Sequence, residues 1–274
     1  MYSYSNPFPS AGSLLLLIGP TVTFDREESN KVLGFLDSGG MVFLADDFGS
    51  GNTLLENLNV SVRFSGQPIS DLYFYSKQPI FPLVSNFAPD AITKNLTLLV
   101  MNRPSYLEVT NSTLVTVLAR SSPFSFDDYS GNGELSPNET TQSYPVLAST
   151  HLGKGRLILV SNAGIFTNDM IGFFNNTIFF NNILNVAAGN IVFDVSHIKR
   201  ALLTDQRVAF RADVDSLLMA LQSGVVRAAV TVGVILTFTA IFLSRARLNR
   251  SRSLARNQAY IVNCLAMRRG HSLD

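Results

Sequence analysis

The sequence has little of the side-chain chemistry on which most enzymes and metalloproteins depend. Its 274 residues include one cysteine, Cys264, and three histidines, His151, His197 and His271. A single cysteine can form neither an intrachain disulfide nor a cysteine metal site. The histidines follow no HExxH or other ligand spacing, and we interpret each as a solvated surface residue. The sequence therefore predicts no bound metal and no cofactor.

Charge is also scarce, and it is nearly balanced. Charged residues make up 15% of the chain, and the formal net charge is +1. Such a balance argues against a nucleic-acid partner. The exception is the tail 244–274, which contains seven arginines and whose only acidic side chain is Asp274. This tail is expected to lie against an anionic surface or in the cytoplasm.

Long apolar runs are absent except at 225–243, where the only charged residue is Arg227 near the start. Nineteen helical residues at roughly 1.5 Å each span about 28 Å, close to the thickness of a bilayer core. The run predicts one transmembrane helix, with a buried core helix as the alternative. The chain is then a single-pass protein of the cell membrane. The arginine-rich flank predicts that the tail lies in the cytoplasm and that the main domain lies outside the cytoplasm. Since residues 1–13 do not resemble a signal peptide, we expect a missing leader or first membrane helix, and the inverted orientation stays open.

The N-terminal third has the pattern of a βαβ unit. The apolar run 13–19 is typical of a strand that is buried on both faces, and 41–45 is a second such run. Between them, Asp25 and Glu28 form a capping-box pattern, and Gly39-Gly40 provides a helix stop. A short helix with Asn52 as its N-cap should follow.

The rest of the main domain is less regular. Alternating β-type runs separated by Pro, Gly and Asn clusters indicate a β-rich, partly antiparallel insertion around 65–144. Residues 145–149 and 155–162 predict a hairpin. A helix is expected from about 169 to 188, with Met170, Phe173, Phe174, Ile178 and Phe179 facing the sheet and its asparagines mostly facing outward. Residues 193–224 are then a connector helix to the apolar run.

Several motifs occur together in one order: LLLIGPTVTF, EESNKVLGFLDSGGMVFLADDFGSGNTLLENL, YPVLAST, GKGRLILVSNAGIFTNDMI and NNTIFFNNIL. In this combination, which covers most of 13–188, the chain resembles the prokaryotic membrane-protein family called domain of unknown function 4350. The resemblance implies an α/β domain over 1–192, a three-layer open and mostly parallel sheet of flavodoxin-like or glutamine amidotransferase-like type, and a membrane setting. It implies no established activity. It directs attention to Gly19, Pro20, Glu28, Gly39, Gly40, Asp46, Asp47, Gly49 and Ser161.

Glutamine hydrolysis is not expected, because class I amidotransferases need a cysteine with a histidine partner and this domain contains no cysteine. Where related proteins carry Ser-Asp after the late strand, this chain has Ser161-Asn162. A role that depends on that carboxylate is therefore not expected here.

The best candidate site lies at the carboxyl ends of the predicted strands, where open α/β sheets bind ligands. Free backbone N–H groups at Gly49 to Gly51 suit an anion, although the two aspartates before them suit a metal or a sugar hydroxyl equally well. The alternative is that these residues only build a tight turn and cap a helix. The candidate ligand-binding residues are Asp46, Asp47, Gly49, Ser50, Gly51, Asn52 and Ser161.

No convergent set of titratable groups appears apart from Asp46 and Asp47. We therefore expect a non-catalytic, membrane-anchored domain that binds a ligand or a protein partner, as an accessory or scaffold subunit of a membrane system such as a transport system. The alternative is an unusual hydrolase or carbohydrate-active enzyme that uses Asp46 and Asp47. A third possibility, pure anchoring through the basic tail, needs no pocket.

Overall fold

A computed structural model describes residues 11–198 of the chain. Its centre is a seven-stranded sheet in the order β13-β1-β2-β12-β11-β9-β6, and three two-stranded sheets surround it. The strands are β1 Leu14–Ile18, β2 Met41–Ala45, β3 Val62–Phe64, β4 Ile69–Asp71, β5 Leu83–Val84, β6 Asn86–Phe87, β7 Leu99–Val100, β8 Leu107–Val109, β9 Val115–Arg120, β10 Ser125–Asp127, β11 Pro145–Leu152, β12 Gly155–Val160 and β13 Ile191–Phe193. The helices are α1 Arg26–Asp37, α2 Gly51–Asn57 and α3 Asn176–Asn185, with a 3-10 turn at Gly164–Phe166.

The predicted βαβ unit is confirmed. Strands β1 and β2 are parallel neighbours paired over five residues, and their leucines are almost completely buried. The capping box of α1 forms as expected: Oδ1 of Asp25 accepts from the Glu28 amide at 2.8 Å, and Oε2 of Glu28 accepts from the Asp25 amide at 3.0 Å. After the helix, Gly39 adopts a φ of +96°, the left-handed conformation that lets the chain turn into β2.

The prediction of a mostly parallel sheet of flavodoxin-like or glutamine amidotransferase-like type is wrong. Strands β13, β1, β2 and β12 pair in parallel, whereas β12, β11, β9 and β6 pair antiparallel. The sheet is therefore mixed, with three pairings of each kind, and within residues 11–198 three α-helices accompany it. The difference arises because β6 and β9 of the predicted insertion join the main sheet instead of standing apart from it.

Each face of the sheet has its own hydrophobic core. On one face, Val32 and Phe35 of α1 and Leu54 and Leu55 of α2 pack against alternate residues of β1, β2 and β12 such as Leu15. On the other face, α3 and the segments that follow β4 cover the remaining strand residues. The strands at the centre of the sheet are thus covered on both faces, as their continuous apolar sequences require.

The late helix is shorter than predicted, and it buries only part of the predicted apolar face, including Phe179. It begins at Asn176, and Phe173, Phe174 and Ile178 are 40%, 52% and 38% exposed. Asn176, which was expected to face outward with the other asparagines, is completely buried. Its side chain accepts from the Val100 amide and donates to the Val100 carbonyl, which orients this asparagine toward the insertion.

Within residues 11–198, none of the helices combines the length and the hydrophobicity that a bilayer crossing needs. The predicted membrane helix at 225–243 and the tail 244–274 lie outside the described residues. The predicted connector helix begins inside them, where 193 is the last residue of strand β13 and 196–197 form a turn. The remainder of the connector lies outside.

Candidate functional site

The carboxyl ends of the parallel strands meet at one edge of the main sheet. Asp46 and Asp47 follow β2 there, Ser161 and Asn162 follow β12, and the turn after β13 carries Asp194, Ser196 and His197. The structure therefore brings both predicted aspartates and Ser161 to the same edge. It also adds Asn162 and the β13 turn, which were not among the candidates.

The Asp46 carboxylate is buried and already has hydrogen-bond partners. The side chain is 2% exposed. Oδ1 accepts from the amides of Asp47 at 2.8 Å and Gly49 at 2.9 Å, and Oδ2 accepts from Gly51 at 2.7 Å. Burial raises the pKa of Asp46, and it outweighs the lowering by these hydrogen bonds. The carboxylate thus organises the loop between β2 and α2 and is turned away from solvent.

The glycine loop closes around this carboxylate. A side chain at Gly49 would lie 2.2 Å from the Pro20 carbonyl oxygen, and one at Gly51 would lie 2.6 Å from Oδ2 of Asp46, so only glycine fits at either position. The Ser50 amide donates to the Pro20 carbonyl at 2.8 Å. The backbone donors expected to be free for an anion are therefore used inside the loop.

Two other candidate residues also have structural partners. Asn52 is not the helix cap that the sequence predicted, since α2 starts at Gly51 and its N-cap Ser50 makes no side-chain hydrogen bond. Instead, the Asn52 side chain pairs with both the amide and the carbonyl of Phe64. Ser161 is completely buried, and its hydroxyl donates to the Val146 carbonyl at 3.3 Å.

Asp47 is the candidate carboxylate that remains partly accessible to solvent. It is half-buried, and burial raises its pKa. Its Oδ2 accepts from Nδ2 of Asn162 at 3.2 Å. Asn162 also pairs with the backbone of Asn102, donating to its carbonyl at 2.8 Å and accepting from its amide at 2.9 Å. Through Asn162, Asp47 is connected to the insertion.

Asn102 lines a cavity of about 340 Å³, which we call the edge cleft. The insertion supplies one wall, and the segment after the 3-10 turn supplies the other. Lys77 and Asp169 provide charges at the cleft, and Nζ of Lys77 lies 5.1 Å from the centre of the Phe173 ring, a cation-π distance. The other side chains that line the cleft are Ser76, Phe81, Val100, Asn102 and Met170.

A second group of polar residues at this edge was missed. His197, interpreted from the sequence as a solvated residue, is only 2% exposed and stacks on Phe24 with ring centres 3.7 Å apart. Its Nδ1 lies 2.6 Å from Oδ2 of Asp194, and its Nε2 lies 3.2 Å from Oε2 of Glu28. The Asp-x-x-His spacing directly after a strand was the available signal.

The electrostatics of this group favour a charged imidazole. Burial lowers the pKa of His197, but the hydrogen bonds and charges of Asp194 and Glu28 outweigh it and raise the pKa above 6.5. For Asp194, burial alone would raise the pKa. The hydrogen bonds from His197 and Ser196 outweigh the effect of burial and lower the pKa below 3.8. The group is thus an ion pair that ties the turn after β13 to the start of α1.

Ser196, His197 and Asp194 do not form a catalytic triad. In a triad the serine hydroxyl bonds one imidazole nitrogen and the aspartate bonds the other. Here Ser196 and Asp194 both lie on the Nδ1 side, at 3.2 Å and 2.6 Å, while Nε2 faces Glu28. Across residues 11–198, no three His, Cys, Asp or Glu side chains are grouped in a way that could hold a metal ion.

Comparison with known proteins gives a family match without an activity. The family model described as "Domain of unknown function (DUF4350)" matches residues 2–184. No curated protein matches the chain.

Among solved structures, the mmIFT52 N-terminal domain is similar with a TM-score of 0.49 and 18% identity, over 63% of this chain and 75% of that one. A cytoplasmic protein of Salmonella typhimurium LT2 is similar with a TM-score of 0.41 and 14% identity, over 66% of this chain and 76% of that one. A β-galactosidase of Rahnella sp. R3 is similar with a TM-score of 0.40 and 13% identity, over 64% of this chain and 22% of that one. At these values the neighbours say nothing about the activity of this chain.

Proposed function

The chain belongs to the DUF4350 family of domains of unknown function, and from that premise we propose that it is a non-catalytic ligand-binding domain whose ligand occupies the edge cleft. One observation carries this proposal. The buried carboxylate of Asp46 is held by three backbone amides, whereas Asp47 is connected through Asn162 to Asn102, which lines a cavity of about 340 Å³. That volume lies within the range of small-molecule sites.

The lining of the edge cleft favours a small amphipathic ligand. Phe81, Val100 and Met170 present apolar surface, while Asn102, Lys77 and Asp169 offer polar contacts. A few polar groups on a largely apolar surface orient a ligand without reacting with it. The opposite charges favour a ligand with no large net charge.

The geometry favours binding over hydrolysis. An enzyme that uses two carboxylates needs both of them in contact with the substrate. Asp46 is buried within its loop, so Asp47 would have to act without it. A panel of chromogenic glycosides and esters tests this alternative, because turnover that disappears in Asp47→Asn would favour a hydrolase.

Fragment binding to the full chain tests the proposed site. We expect fluorinated fragments, followed by ligand-observed fluorine NMR, to bind the wild-type chain and to lose binding in Ser76→Trp, which fills the cleft. Ser130→Trp, in an exposed loop, is the matched control and should keep the binding. Fragment binding that persists in Ser76→Trp would remove the edge cleft as the site.

We place this binding function at a membrane, as part of an accessory or scaffold subunit. The apolar run 225–243 and the arginine-rich tail support this location. Protease protection in intact cells, with tags at Asp274 and in the loop 131–133, tests the orientation. Cleavage of the loop from outside with protection of the tail supports an exterior domain, and protection of the loop contradicts it.

A further inference from the structure

A second cavity, of about 310 Å³, lies at the same edge of the sheet beyond strand β11, and we call it the arginine pocket. Its lining includes Tyr73, Ser85, Asn86, Arg120, Ser122 and Phe124, and it shares no residue with the edge cleft. The segment 74–83 contributes Phe74 to the arginine pocket and Ser76 and Phe81 to the edge cleft. Within this segment, Tyr75 and Pro82 form an isolated antiparallel bridge. The arginine pocket is therefore a separate candidate site.

The cation of this pocket has unused hydrogen-bonding capacity. Arg120 is the last residue of β9 and is half-buried. Its side chain makes one hydrogen bond, from Nη1 to the Ser143 carbonyl at 3.3 Å. A guanidinium has five N–H donors, and within residues 11–198 no carboxylate lies in ion-pair range of this one. Arg120 can therefore accept an anionic partner.

A neutral amide stands beside this cation. Asn86 of β6 is the antiparallel partner of Arg120, so the two side chains lie on the same face of the sheet. Asn86 is exposed, and its side chain makes no hydrogen bond within the described part of the chain. Arg120 and Asn86 together present several donors and one acceptor to the same space.

The hydroxyl groups of two serines in the pocket are hydrogen-bonded within the protein. The Ser122 hydroxyl donates to Oδ2 of Asp71, and the Ser143 hydroxyl donates to the Ser121 carbonyl at 2.8 Å. Asp71 is completely buried and accepts further hydrogen bonds from Ser125 and from the amides of Tyr73 and Phe74. The Asp71 carboxylate therefore already has hydrogen-bond partners within the protein. Arg120 supplies the charged group that lines the cavity.

Two aromatic rings form the outer wall. Tyr73 is 74% exposed and Phe124 is 47% exposed, and their rings meet edge to face with centres 5.1 Å apart. The exposed faces of these rings suit the flat or apolar side of another ring. One cation beside an aromatic wall favours a ligand with a single negative charge and a cyclic body.

We infer that the arginine pocket binds a small ring-bearing carboxylate, with its carboxylate on Arg120, its polar substituents on Asn86 and its ring against Tyr73 and Phe124. Sugar acids and aromatic acids share this chemistry. The cavity volume admits only a small molecule of either kind.

Isothermal titration calorimetry of the full chain tests this inference with glucuronate, phenylacetate, acetate and phosphate as probes. We expect one of the two ring acids to bind at least tenfold more tightly than acetate and phosphate. Preference for glucuronate identifies a sugar-acid site, and preference for phenylacetate identifies an aromatic-acid site. Failure of both ring acids to bind, or tighter binding of phosphate, would overturn the inference.

Variants assign the binding to this pocket. Arg120→Gln should weaken the preferred ring acid at least tenfold, whereas Arg103→Gln, which changes an exposed arginine elsewhere, should not. Phe124→Ala, at an exposed position, should weaken binding of the ring acid and leave the affinity for acetate unchanged. This variant still tests the inference if Arg120→Gln does not fold. Ser76→Trp should have no effect, which separates this site from the edge cleft. Binding that is unchanged in Arg120→Gln or in Phe124→Ala would contradict the assignment.

Discussion

Nδ1 of His197 lies 2.6 Å from Oδ2 of Asp194, and both side chains are almost completely buried. The pair closes the turn after the edge strand β13, and Glu28 extends it to the first turn of α1 through the second imidazole nitrogen. A buried imidazolium between two carboxylates makes the stability of the domain depend on pH.

The free energy of unfolding should fall as the pH rises. The pKa of His197 is raised above 6.5 in the folded protein, so folding binds this proton more tightly. The stabilisation is fully present below about pH 6.5 and is lost as the pH rises through the folded-state pKa. Urea unfolding of the full chain at several pH values above about pH 5, where Asp194 stays ionised, measures this.

His197→Gln should flatten that dependence, since glutamine keeps polar groups but does not titrate. His151→Gln is the matched control because His151 is exposed, and it should keep the wild-type slope. Equal slopes in wild type and His197→Gln would show that another group causes the pH dependence.

Asp46→Ala should destabilise the domain far more than Asp47→Ala. Three amides lose their acceptor in the first variant, at a cost of about 1 kcal/mol or more each, or roughly 3 kcal/mol in all. Asp47 is half-buried, and its loss should cost about 1 kcal/mol. Denaturant unfolding of the two variants measures the difference, and equal costs would rule out the structural role of Asp46.

Asn176→Ala should cost about 2–3 kcal/mol, because the backbone groups of Val100 lose their side-chain partner inside the core. Asn181 lies on the same helix and is exposed. Asn181→Ala should therefore change the thermal midpoint little. A large loss in both variants would contradict this account, because alanine has the higher helix propensity and Asn181→Ala should not destabilise α3.

Two glycine-to-alanine changes should act in opposite directions. A side chain at Gly155 would lie 2.4 Å from the carbonyl oxygens of Gly40 and Leu36, so Gly155→Ala should destabilise by several kcal/mol or prevent folding. Gly34 lies in α1 with nothing near its added carbon, and Gly34→Ala should stabilise by about 0.5–1 kcal/mol. Calorimetric melting of both variants gives the signs, and destabilisation by Gly34→Ala would contradict this account.

The sequence predicted those parts of the fold that depend on near neighbours along the chain. The capping box of Asp25 and Glu28, the turn at Gly39 and the pairing of β1 with β2 all follow from local spacing. The pairing of β9 does not, because its alternating residues suit a strand in any sheet. An antiparallel half built from distant segments therefore appeared as an insertion, and the sheet was predicted to be mostly parallel.

The candidate site was predicted in position but not in detail. Asp46 and Asp47 lie at the strand ends as expected, yet the sequence could not show that the Asp46 carboxylate turns toward Gly49 and Gly51. The same holds for His197, whose partner Glu28 is 169 positions away. Side-chain direction and long-range contacts depend on tertiary packing, which local patterns do not encode.

In the described part of the chain, strand β13 is the edge strand of the main sheet and is held by three residue pairs with β1. Directly after it, the His197 imidazole contacts Glu28, which belongs to the capping box of α1. Tension on the chain beyond residue 198 would therefore load this short edge strand and the first turn of α1 together. A pull from that end would loosen β13 and the start of α1 before it disturbed the central strands of the sheet. We therefore expect the domain to unfold first at this edge under tension.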